Sequence, residues 1–76
     1  MVYWLSNSGI VYHIVKDIMT NAYYVVYSTH IGVNSDVMAN MSINNKNCTD
    51  YNTVRTELDN YGVKRGWYKF ELGDDE

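Results

Sequence analysis

The sequence predicts a small single-domain α+β protein. Two segments carry apolar residues at helical spacing, three runs are rich in β-branched and aromatic residues, a fourth alternates apolar with polar residues, and no Pro/Gly-rich linker divides the chain. In order these give β-α-β-β-α-β. Such an order folds as the ferredoxin-like split βαβ, a four-stranded antiparallel sheet with two helices on one face.

Val2 to Leu5 is β-prone and ends at Ser6-Asn7-Ser8-Gly9, a turn or N-cap cluster. Beyond it, Ile10, Val11, Ile14, Val15, Ile18 and Met19 form a helical stripe, with His13, Lys16, Asp17 and Thr20 opposite. Ile, Val and Tyr are indifferent helix formers. A hairpin turning at Asn7-Ser8-Gly9, with residues 10–15 as its second strand, therefore competes. That alternative gives a β-meander followed by one helix and a final strand. The helix is the preferred reading because the stripe runs on through Ile18 and Met19, past the length of a usual strand.

Tyr23 to Val33 reads as a long strand, and Asn34-Ser35-Asp36 as its turn. Val37, Ala39, Met41 and Ile43 alternate with polar residues and Met38, as the second arm of a hairpin would. Thr49 or Asp50 caps a helix with Tyr51, Val54, Leu58 and Tyr61 on one side. Gly62 is its expected C-terminal cap, with Lys64 and Arg65 beyond it near the negative end of the dipole. Trp67 to Leu72 closes the domain, with Tyr68, Phe70 and Leu72 on one face and Trp67, Lys69 and Glu71 on the other.

Composition narrows the function classes. The 76 residues carry a net charge of −3, and three of the nine acidic residues are Asp74, Asp75 and Glu76. Residues 1–73 therefore form a neutral body, with six basic and six (nine minus three) acidic residues, and 74–76 an acidic tail. Neither a polyanion nor a strongly basic nucleic-acid binder is indicated. Cys48 is the only cysteine, which excludes an internal disulfide, and with His13 and His30 widely spaced it offers no zinc-ligand pattern. No cofactor or metal is expected. The opening residues have no basic n-region, and no apolar run approaches a membrane span. A cytoplasmic home is expected, and no membrane partner. Abundant Asn and Tyr and the lack of Pro fit an A/T-rich coding bias, as in a low-GC bacterium or its phages.

No nucleophile, base and orienting group converge in the sequence. Cys48 stands near a helix N-terminus, where a thiol can be activated, but without a neighbouring His. A binding role is expected instead. Tyr24 alternates away from Tyr23 and Tyr27, so at least one of these rings faces solvent, and Trp67 joins the outward set. Tyr24, Tyr27 and Trp67, with the acidic Asp74, Asp75 and Glu76, are the expected protein contacts. The role suggested is that of a phage-encoded inhibitor of a host or defence enzyme, in the manner of anti-CRISPR proteins, acting in the host cytoplasm. A long strand left at a sheet edge could also pair with its copy to form a homodimer.

The alternative is nucleic-acid binding through Lys64, Arg65, Trp67 and Lys69, cations interleaved with aromatic rings. Arg65-Gly66-Trp67 resembles the opening of the RNP1 element of RNA-recognition modules, and Val2-Tyr3-Trp4 resembles RNP2. The chain departs from that pattern at Tyr68 and Lys69, where a small residue and a second aromatic would stand, and its segment falls on the last strand, not the third.

Overall fold

The computed structural model describes residues 1–30, 35–38 and 41–72. Strands β1 (Val2–Leu5), β2 (Val11–Lys16), β3 (Tyr23–Ser28), β4 (Asp36–Val37) and β5 (Tyr68–Glu71) form one sheet in the order β4-β3-β2-β1-β5. Every neighbouring pair is antiparallel. A 3₁₀ turn (Ser42–Asn45) and helix α1 (Tyr51–Arg65) lie between β4 and β5. The fold is thus a meander, one helix and a returning strand. The ferredoxin-like arrangement of four strands and two helices is not what forms.

The correction falls on residues 10–20. Gly9 takes φ +88°, the Ser6 amide donates to the Ile10 carbonyl at 2.9 Å, and the Ile10 amide donates to Ser6 Oγ at 3.0 Å. This is a hairpin turn, and the β-branched Val11, Ile14 and Val15 continue it as strand. Ile18 and Met19, which lengthened the apparent stripe, are each 86% exposed in the next turn. That turn is built locally: Asp17 Oδ1 accepts the Met19 amide at 2.9 Å, and Asn21 adopts φ 61°.

The second expected hairpin is also shorter than its pattern. Strand β3 ends at Ser28, residues 31–34 lie outside the described set, and β4 has only Asp36–Val37. Met38, Met41 and Ile43 are buried in one cluster with Val54 and Leu58 of α1, and Ser42–Asn45 is a 3₁₀ segment where a strand was expected. Asn44 makes that segment possible. Its Oδ1 accepts the Val25 amide at 2.8 Å, and its Nδ2 donates to the carbonyls of Val25 at 3.0 Å and Met38 at 2.8 Å.

Helix α1 follows the expected stripe, with Val54 and Leu58 fully buried. The C-terminal cap expected at Gly62 falls four residues later. Gly66, at φ 72°, is the left-handed C-cap, and its amide reaches the Val63 carbonyl at 3.1 Å. Gly62 lies inside the helix against the Trp4 indole, where a Cβ would sit 2.6 Å from Trp4 Cδ2. The indole Nε1–H donates to Asp59 Oδ1 at 3.0 Å, one turn earlier on the same helix.

Register fixes the two faces of the sheet. Trp4 pairs with Tyr12 and Lys69, Tyr12 with Tyr27, and Ile14 with Val25, so these side chains share the helix-covered face. Tyr3, Leu5, His13, Val26, Tyr68 and Phe70 share the opposite face. The final strand alternates as the sequence predicts, but Tyr68 and Phe70 stand on the face that α1 does not cover.

Candidate functional site

A cleft of about 490 Å³ lies on the helix side of the sheet, lined by Ile10, Tyr12, Tyr27, Met38, Tyr61, Arg65 and Trp67 among others. Three elements build it. Strands β2 and β3 present Tyr12 and Tyr27 as a cross-strand pair with ring centroids 6.2 Å apart. The last turns of α1 bring Tyr61 and Arg65, one helical turn apart, over the same end of the sheet. The Gly66 cap then reverses the chain, and the Trp67 amide donates to the Gly62 carbonyl at 2.9 Å, which fixes the indole between helix and sheet.

The rings form a connected group. Trp67 stacks on Tyr12 at 4.3 Å with an interplanar angle of 11°, and tilts against Tyr61 at 5.5 Å. The Arg65 guanidinium carbon stands 3.4 Å from the Tyr61 ring centroid, a close cation–π contact. Burial raises the Tyr12 hydroxyl above its ordinary range, and Tyr61 and then Tyr27 push in the same direction, against Arg65. The Tyr12 phenol is therefore neutral at neutral pH, and it stands among the other rings with one fixed positive charge, Arg65, at the rim. Rings of this kind give large contact area at small cost in side-chain entropy.

Of the protein contacts expected from sequence, the structure brings Tyr27 and Trp67 together in this cleft. It does not bring Tyr24, which alternates to the opposite face and donates its hydroxyl to Asn47 Oδ1 at 2.9 Å. Asp74, Asp75 and Glu76 lie outside the described residues. Tyr12 and Tyr61 were absent from the expected set. Tyr12 was hidden by the helical reading of residues 10–20. Tyr61 carried a usable signal in Arg65 four residues on, the spacing that lays a cation on a ring.

The cationic set is dispersed. Lys64 and Arg65 are exposed at the end of α1, while Lys69 Nζ meets Asp59 Oδ2 at 3.5 Å and stands 5.7 Å from the Trp4 ring. Trp67 already has one face against Tyr12.

No family model matches the chain, and no curated protein or solved structure is similar to it. Among the described residues no group of three His, Cys, Asp or Glu side chains is placed to hold a metal ion. Cys48, half-buried, points its thiol at the Asp50 carbonyl oxygen at 3.6 Å. No helix among them is long and apolar enough to cross a membrane.

Proposed function

We propose that this chain is a protein-binding module acting without catalysis, and that its contact point is the cleft of Tyr12, Tyr27, Tyr61 and Trp67 with Arg65 at its rim. The observation that carries this reading is the stacked aromatic group around a concavity of about 490 Å³. Tyr, Trp and Arg dominate binding energy at protein interfaces, above all where they cluster around a pocket. The partner it suits is a loop or terminus offering an apolar side chain for the cleft and an acidic group for Arg65.

A small domain that inserts into, or is gripped by, a larger enzyme acts by occlusion, and inhibition of a host or defence enzyme is the form of binding proposed. The lone Cys48 suits a reducing compartment such as the cytoplasm. A second copy of the chain is a further partner, at a surface apart from the cleft.

Capture on the immobilised chain from a lysate of its native host, with and without nuclease, tests the reading. The retained protein should survive nuclease, and Tyr27→Ala or Arg65→Ala should weaken its binding by about 30-fold or more, the effect of a hot-spot truncation. Retention that vanishes with nuclease, falls steeply with salt and is lost in Lys64→Glu while surviving Tyr27→Ala supports nucleic-acid binding instead.

A further inference from the structure

Strand β5 lies at the edge of the sheet, with β1 on one side only. The Met1 and Leu72 backbones exchange two hydrogen bonds, both of 3.0 Å. In an antiparallel ladder the residues of such a narrow pair point both backbone groups at their partner, and alternate residues point theirs away. With the register Val2↔Glu71, Tyr3↔Phe70, Trp4↔Lys69 and Leu5↔Tyr68, it follows that Tyr68 and Phe70 serve β1. The amides and carbonyls of Lys69 and Glu71 face outward. The other edge is blunted by brevity, since β4 is only Asp36–Val37.

An edge of this kind accepts a further strand, and its side chains select which one. A second β5 running antiparallel can meet the outward groups of Lys69 and Glu71 in three ways. Lys69 opposite Lys69 sets like charges together, as does Glu71 opposite Glu71. Lys69 opposite Glu71 of the copy pairs opposite charges twice, and it puts Phe70 against Phe70 on the two-fold axis and Tyr68 against Leu72. Like charges directly opposite are unfavourable, while opposite charges and aromatic pairs are favourable.

A lone Lys on an edge strand is a common guard against pairing. Here Glu71, two positions along on the same face, converts that guard into a complement of itself. The Lys69–Asp59 contact does not exclude this, because an ammonium has three donors and Lys69 remains exposed. The aromatic row on the uncovered face would also continue across the joint: Tyr68–Phe70 at 5.9 Å, Phe70–Tyr3 at 5.5 Å and Tyr3–His13 at 5.2 Å already form it within one chain.

We infer that β5 is a homodimerisation edge, at which two copies join their sheets antiparallel with Lys69 opposite Glu71 and Phe70 on the two-fold axis. Neither Lys69, Phe70 nor Glu71 lines the aromatic cleft, so the dimer stands or falls apart from the partner reading.

Sedimentation equilibrium of the full chain tests it. The mass should rise with concentration from 8.8 kDa toward twice that value. Lys69→Glu and Glu71→Lys should each weaken association by at least ~10-fold, the charge reversal placing like charges opposite in both pairs. Mixing the two variants should restore it, because each then meets its complement. A chain still monomeric at ~1 mM, the dissociation constant of a very weak complex, overturns the inference. So do single variants that associate as the unaltered chain does, or a folded mixture that stays monomeric. Hydrogen exchange gives a second reading that needs no variant. The Lys69 and Glu71 amides should become protected as concentration rises, and fast exchange at all concentrations is the contrary result.

Discussion

Asn44 is buried beneath β3, with its amide side chain bonded to the Val25 amide, the Val25 carbonyl and the Met38 carbonyl. A strand would satisfy these groups with backbone, but here one side chain replaces several residues of ladder. Asn44→Ala leaves at least the Val25 amide unpaired in the core. Unpaired buried polar groups cost about 1–3 kcal/mol each, so a loss of about 2–4 kcal/mol is expected, read as a lower urea midpoint at an unchanged slope. Asn44→Asp should fare no better, since a carboxylate cannot donate to either carbonyl.

His13 presents a different residue-scale case. Its Nδ1 is buried without a hydrogen-bond partner, and burial lowers its pKa below the ordinary 6.5. The unfolded chain then binds the proton more readily than the folded one, so stability rises with pH in that window. His13 opposes folding as pH falls below about 6.5 toward its depressed folded value, and has no such effect above it. Urea midpoints at pH 7.5 and 5.5 should differ in the unaltered chain, and His13→Phe should shrink the difference. An undiminished difference would assign the pH dependence to other groups.

At the scale of elements, the Gly62–Trp4 contact sets how closely α1 approaches the sheet. A Cβ on residue 62 would overlap the Trp4 ring, and the ring cannot turn aside without losing its bond to Asp59. Gly62→Ala, favourable by about 1 kcal/mol for an exposed helix position, should here destabilise by about 1–3 kcal/mol through overpacking, measured by thermal or urea unfolding. Sequence reasoning placed α1 well because Tyr51, Val54, Leu58 and Tyr61 recur at helical spacing behind the Thr49-Asp50 start signal, although most of its residues are indifferent helix formers. It failed at residues 10–20, where a helical spacing was carried by Ile and Val, and at Gly62, where a glycine near a helix end is ambiguous between cap and contact. The stripe was deceptive because Ile18 and Met19 belong to a turn fixed by Asp17 and Asn21, and an exposed turn imposes no period on its apolar residues. The same error concealed Tyr12, one of the four rings of the cleft. Tyr27 and Trp67 were both expected at an outward surface, and they line the cleft, but Trp67 precedes β5 and lies half-buried against Tyr12 where an outward strand position was expected.

For the whole molecule, the last strand decides whether the rest holds. β5 supplies one of β1's two neighbours, joins residues 63 (Leu5 and Tyr68) to 71 (Met1 and Leu72) positions apart, and brings Trp67 onto Tyr12. The chain gains this pairing only after closing a long loop, and topology of that kind folds late and slowly. A domain of this size buries only ~60% of its unfolded surface, so its stability has little reserve. Ending the chain at Gly66 would leave β1 as a bare edge and remove the Lys69 partner of Asp59 along with the Phe70 stack on Tyr3. The remaining meander keeps its β2–β3 hairpin, but Trp4 is then held by the helix on one side only. The truncated chain should therefore lack a cooperative unfolding transition and the near-ultraviolet circular dichroism of an ordered Trp4, while retaining some strand signal. A sharp transition in that chain would mean that meander and helix fold without β5, and that the closing strand was free to serve its outer edge alone.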